Sequence, residues 1–137
     1  MKIIGFNFTK ISAERFSDDF KELKINTHID ISSIKKINVS FIQGKQEPIE
    51  LAFTCTLNYN NNSALIEIKG NMLLSTDKKE SKEILDNWEN KKIPENIRVF
   101  LLNTIFRKSN LKALELEEDL NLPIHIQLPT LSNEKNS

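Results

Sequence analysis

The stretch PENIRVFLLNTIFRKSN, residues 94–110, sets the fold. At about 100° per residue, Ile97, Leu101 and Ile105 make one apolar ridge of a helix, and Val99, Leu102 and Phe106 make another about 140° away. Pro94 suits the first turn, where a fixed φ helps and a missing N–H costs nothing. The two ridges span about 200°, whereas a helix lying on a globular core needs an apolar stripe of only about 100°. One ridge therefore belongs on the chain's own core, and the other meets a second surface. Full burial of each such side chain is worth roughly 1.5–3 kcal/mol, so a second ridge left in water would forgo several kcal/mol and invite aggregation. The covering surface is the same helix of a second subunit, the C-terminal segment folded back, or another polypeptide. Val99, Leu102 and Phe106 are the expected oligomer interface, together with Arg98, whose guanidinium must reach a carboxylate or water.

Upstream, the period is two. In LAFTCTLNY, Leu51, Phe53, Cys55, Leu57 and Tyr59 alternate with Thr54, Thr56 and Asn58; in LKINTHIDI, Leu23, Ile25, Ile29 and Ile31 alternate with polar residues. KINVSF repeats this with Ile37, Val39 and Phe41, IIGFNF turns Ile4, Phe6 and Phe8 inward, and SALIEIKGNMLL turns Ile66 and Ile68 inward. Clean alternation is the mark of an antiparallel sheet covered on one face only, since strands buried on both faces lose it. YNNNS, residues 59–63, supplies a turn whose asparagines tolerate left-handed backbone. The strands are expected to form a meander. After Ser75 the period lengthens to about 3.6, with Asp77 and Glu80 spaced as a capping box ahead of the stripe Ile84, Leu85, Trp88.

The fold class is thus α+β, an antiparallel one-sided sheet followed by a short and a long C-terminal helix. Beyond Asn110, LKALELEEDLNLPIHIQLPTL holds two prolines among alternating apolar residues, which predicts an extended or irregular segment. Residues 1–137 form one domain, with 132–137 a frayed tail. Nineteen basic and nineteen acidic residues cancel, so no net field draws the chain onto nucleic acid or an anionic membrane. The lone Cys55 makes no internal disulfide, and neither a signal peptide nor a membrane-spanning run is present, so a cytoplasmic location is expected.

Chemistry finds no foothold. His28 and His125 lie on different elements without metal spacing and read as solvated or edge histidines. Cys55 reads as a small core residue, and the acids Glu115, Glu117, Glu118 and Asp119 read as a solvated face. With three glycines, no phosphate-cradling loop can be built, and no hydrolase or metalloprotease motif occurs. The expectation is a protein that is not an enzyme, with no catalytic residues, metal or cofactor.

In order, the one-sided strands, ALIEIKGNMLL (residues 64–74), PENIRVFLLNTIFRKSN, and NLPIHIQLP (residues 121–129) resemble the SecB-like export chaperones from about Phe6 to Leu131, and among them the relatives outside the main bacterial branch. The resemblance implies an ATP-independent holdase for unfolded or nascent polypeptides, linked to protein export, and a cytoplasmic homotetramer built as a dimer of dimers with its long helices sandwiched between sheets. Some members instead hold a single aggregation-prone antitoxin, so the alternative is a dedicated protein adaptor. SNEKNS lacks the acidic character associated with SecA binding, so SecA is not an expected partner. The residues expected to line an apolar polypeptide groove are Phe16, Phe20, Phe41, Leu65, Met72, Leu74, Ile124 and Ile126.

Overall fold

The computed structural model describes residues 1–38 and 46–131. Four strands, β1 (Lys2–Arg15), β2 (Ile25–Lys36), β3 (Glu47–Tyr59) and β4 (Ala64–Thr76), precede two helices, α1 (Lys78–Trp88) and α2 (Glu95–Asp119). All neighbours are antiparallel, in the order β1-β4-β3-β2. The expected meander therefore covers only β2 to β4, and β1 returns to pair with β4. Lys36, the first residue of KINVSF, ends β2. Ile37 follows the end of β2, while Val39 and Phe41 lie outside the described residues.

β3 and β4 pair without interruption from Glu47↔Thr76 to Tyr59↔Ala64 and are closed by Asn60 and Asn61 at φ 50° and 66°, the asparagine turn anticipated from YNNNS. Both edge strands carry register shifts, at Ile3/Gly5 and Phe8/Lys10 in β1 and at Ile31/Ser33 in β2. A bulge flips every side chain beyond it to the other face. For that reason Ile3, not Ile4, joins Phe6 and Phe8 against the core, and Ile4 stays exposed. On the covered face, Phe53 lies over Gly70, where an added Cβ would stand 2.4 Å from the Asn7 carbonyl oxygen and 2.7 Å from Phe53 Cζ.

Both helices cover the same face. The capping box starts α1 as predicted: Asp77 Oδ1 accepts from the Glu80 N–H at 2.8 Å, and Glu80 Oε1 accepts from the Asp77 N–H at 3.2 Å. Pro94 is the N-cap of α2 rather than its first helical residue, its carbonyl accepting from the Ile97 and Arg98 N–H groups. The 25 residues of α2 run about 37 Å, through LKALELEED, which is helical and not extended as expected. Six of its seven buried positions, Ile97, Leu101, Ile105, Ser109, Ala113 and Glu117, advance in steps of four, with Thr104 buried beside Ile105. Each such step rotates about 40° beyond a full turn, so the face laid on the sheet migrates around the helix. The sequence pattern near Leu111 therefore no longer matched the stripe set by Ile97 and Leu101.

Two corrections fall at the far end. Glu117 is fully buried, and His125 is nearly so. The Tyr59 hydroxyl donates to Glu117 Oε2; His125 Nδ1 lies 2.9 and 3.0 Å from the two Glu117 oxygens, and its Nε2 lies 2.8 Å from Asn110 Oδ1. Burial, then the adjacent carboxylate, pushes the Tyr59 hydroxyl above the ordinary phenol range, so it remains a donor. Arg15 Nη1 donates to the Leu120 and Asn121 carbonyls at 3.1 and 2.9 Å, fastening the end of α2 to β1. Leu122 then drops into a core cluster with Cys55, Leu57 and Ile66.

Candidate functional site

Among the described residues, those expected to line a groove lie on different faces of the fold. Met72 and Leu74 are corrected outright: they occupy the covered face of β4 at 0% exposure and belong to the core. Phe16, just past β1, is 55% exposed, while Phe20 packs edge-to-face on Tyr59 with centroids 6.4 Å apart, its ring capped by Arg15. Leu65 is half-buried on the opposite, outer face of the sheet. Ile124 is exposed and Ile126 half-buried on the C-terminal segment, and Phe41 lies outside the described residues.

The concavity lies beside β2. Among the described residues β2 is an edge strand, with every second backbone N–H and C=O lacking a strand partner on its outer side. Its Ile29 and Ile31 face the helix layer, with Asp30 and Ser32 turned outward. α1 stops at Trp88, the connection passes through Lys91 in the left-handed region at φ 58°, and Pro94 redirects the chain into α2. The gap between this connection and β2 encloses about 760 Å³, with Trp88, Ile93 and Leu102 as its apolar wall. That volume suits several side chains of an extended segment.

Charge decorates the rim. Arg98 donates from Nε and Nη2 to the Glu95 carboxylate at 3.1 and 3.0 Å, the expected carboxylate contact, and this holds Glu95 below and Arg98 above their ordinary ranges. Lys91 Nζ stands 4.8 Å from the Trp88 ring centroid, a cation–π contact over the groove's one aromatic wall. Leu102 also belongs to the outer ridge of α2, where Val99 and Phe106 remain 48% and 40% exposed. Among the described residues, the C-terminal segment is held at Asn110 and Glu117 and leaves Val99 and Phe106 exposed.

Sequence reasoning missed Trp88, Ile93, Ile29 and Ile31. Trp88 was assigned to the core stripe of α1, and it does touch the core, but it is the last helical residue and keeps one side open to the groove. Its signal was position: the chain's single tryptophan immediately before the polar run ENKK and a proline. Cys55 is buried as anticipated, and burial pushes its thiol up and away from nucleophilic use.

No protein-family profile and no curated protein matches the chain. Among solved structures it is similar to the Mycobacterium tuberculosis SecB-like chaperone Rv1957 in complex with a ChAD peptide from the Rv1956 HigA1 antitoxin, with a TM-score of 0.56 and 15% identity over 96% of this chain and 89% of that one. The likeness shows the fold: a four-stranded antiparallel sheet followed by two helices in a SecB-like arrangement. Among the described residues, no helix is long and apolar enough to cross a membrane.

Proposed function

We propose that the protein is an ATP-independent chaperone that holds extended, non-native polypeptide segments along β2. The observation that carries this reading is a single one: an apolar-walled groove opens directly onto a free strand edge. A segment added to that edge gains backbone hydrogen bonds from β2 while its alternate side chains enter against Trp88, Ile93 and Leu102. Such recognition reads backbone and apolarity, so it accepts many sequences and needs no nucleotide, cofactor or catalytic group. In this reading the protein works in the cytoplasm as a homo-oligomer of paired dimers on unfolded or nascent chains, without SecA.

Trp88→Ala removes the wall on which an entering side chain would pack. Truncating such a central aromatic typically costs about 2 kcal/mol or more, so a labelled unfolded peptide is expected to bind about thirtyfold more weakly by fluorescence anisotropy. Unchanged affinity in a variant that keeps the wild-type melting midpoint would remove the groove from the proposal. Suppression of aggregation of several unrelated denatured proteins, without nucleotide, separates a general holdase from the second reading. That second reading is an adaptor for one partner, favoured by the antitoxin-derived peptide bound to the similar Rv1957.

The exposed α2 ridge supports the oligomer. Phe106→Asp, outside the groove, would place an unpaired carboxylate in a subunit contact at a cost of about 3–5 kcal/mol. That is more than a hundredfold in dissociation constant, so sedimentation at micromolar concentration is expected to give a smaller species with native circular dichroism. A wild-type mass for this variant would mean the ridge is not the contact.

A further inference from the structure

The groove's charge is one-sided. Arg98 is committed to Glu95 at 3.0 Å, which neutralises that end. Lys91 and Lys92 stand on the α1–α2 connection at the rim, and among the described residues neither has a carboxylate within salt-bridge distance. Asp30 is the remaining lining acid, and it projects from β2 toward the outer face of the sheet, away from the helix-side wall. Among the described residues the helix-side mouth therefore presents two ammonium groups without a carboxylate partner, that of Lys91 resting on the Trp88 ring.

Resting on the reading of this groove as a polypeptide site, we infer that it selects extended apolar segments carrying a carboxylate two residues from the anchor side chain, and disfavours those with lysine or arginine there. The spacing follows from strand geometry. Residues on one side of an extended chain repeat about every 6.6–6.8 Å, within the reach of a lysine whose own backbone is at the rim. A side chain entering against Trp88 meets Lys91 over the ring, and its second neighbour on the same side, one strand repeat along, lies within reach of the lysine side chains that rise from the rim at Lys91 and Lys92. A carboxylate there is attracted by both, whereas an ammonium is repelled by both. The intervening residue points toward Asp30 and Ser32 and feels the lysines little.

Trp88 is the only tryptophan, so its own fluorescence reports occupancy. Three peptides free of tryptophan and tyrosine, sharing one phenylalanine anchor and differing only in Glu, Gln or Lys two residues to either side, are titrated at low and high salt. The Glu peptide is expected to bind about fivefold more tightly than the Gln peptide and the Lys peptide about fivefold more weakly, two exposed ion pairs' worth, with the differences closing as salt is added. In the Lys91→Gln/Lys92→Gln variant the three affinities converge on that of the Gln peptide. Equal affinities in the wild type, or an order that survives the double substitution, overturn the charge selection while leaving the groove in place. Failure of all three to perturb Trp88 overturns the polypeptide reading itself.

Discussion

Glu117→Ala is expected to cost about 3–5 kcal/mol, a large share of the roughly 5–15 kcal/mol that holds a domain together. The carboxylate is fully enclosed, and what makes it tolerable is the Tyr59 hydroxyl on one oxygen and the His125 ring across both. Removing it strands those two buried partners along with the cavity. Glu117→Gln keeps one acceptor and much of the volume, so it is expected to cost about half as much in urea unfolding. Because the Leu122 N–H bonds the Glu117 carbonyl in the turn that follows, exchange protection at Leu122 should fall first. A Glu117→Ala midpoint within error of wild type would mean that the network does not carry the C-terminal segment.

The second large effect is expected at Gly70. Alanine there needs room that two groups deny: the Asn7 carbonyl oxygen at 2.4 Å and the Phe53 ring at 2.7 Å. The ring cannot simply swing aside, because Phe6 packs on it at 5.3 Å between centroids. Overpacking of this kind costs about 3 kcal/mol, and the loss is expected to show in both thermal and denaturant unfolding. Phe53→Leu in the same chain frees the ring contact but not the backbone one. The double variant should therefore recover only part of the loss, and full recovery would mean that β1, with the Asn7 carbonyl, can move away from Gly70 freely.

The sheet was legible because its covered face obeys a strict period of two from Leu51 to Tyr59 and from Ala64 to Leu74. The alternation marked these inner positions without any tertiary information. It failed where the chain broke period, at the β1 bulge that exchanged Ile4 for Ile3. The first half of α2 was legible for the same reason and its second half was not, because the covered face rotates between Ile105 and Glu117. Of the candidate site, Leu102 and Arg98 were noted, though for a subunit contact. Met72 and Leu74 stand in the same alternation as Ile66 and Ile68, so the period of two places them on the inner face, and assigning them to a groove ran against it. Glu117 and His125 show the converse limit: eight residues apart, their pairing is made by a turn at Asn121 whose left-handed backbone reverses the chain.

The pairing of β1 with β4 has a further meaning during synthesis. Lys2 waits for Ser75, and Phe6 for Met72, so the first of these four strands to be made is the one whose strand neighbour, β4, is made last of the four. At roughly 5 to 20 residues per second, that strand spends several seconds as an extended apolar segment with both edges open. β2 and β3 can meanwhile close as a hairpin, but β1 finds its place only once β4 has been made and has paired with β3. A newborn copy therefore displays, for those seconds, the kind of segment that a finished copy is proposed to hold, and mature molecules nearby would be its first protectors.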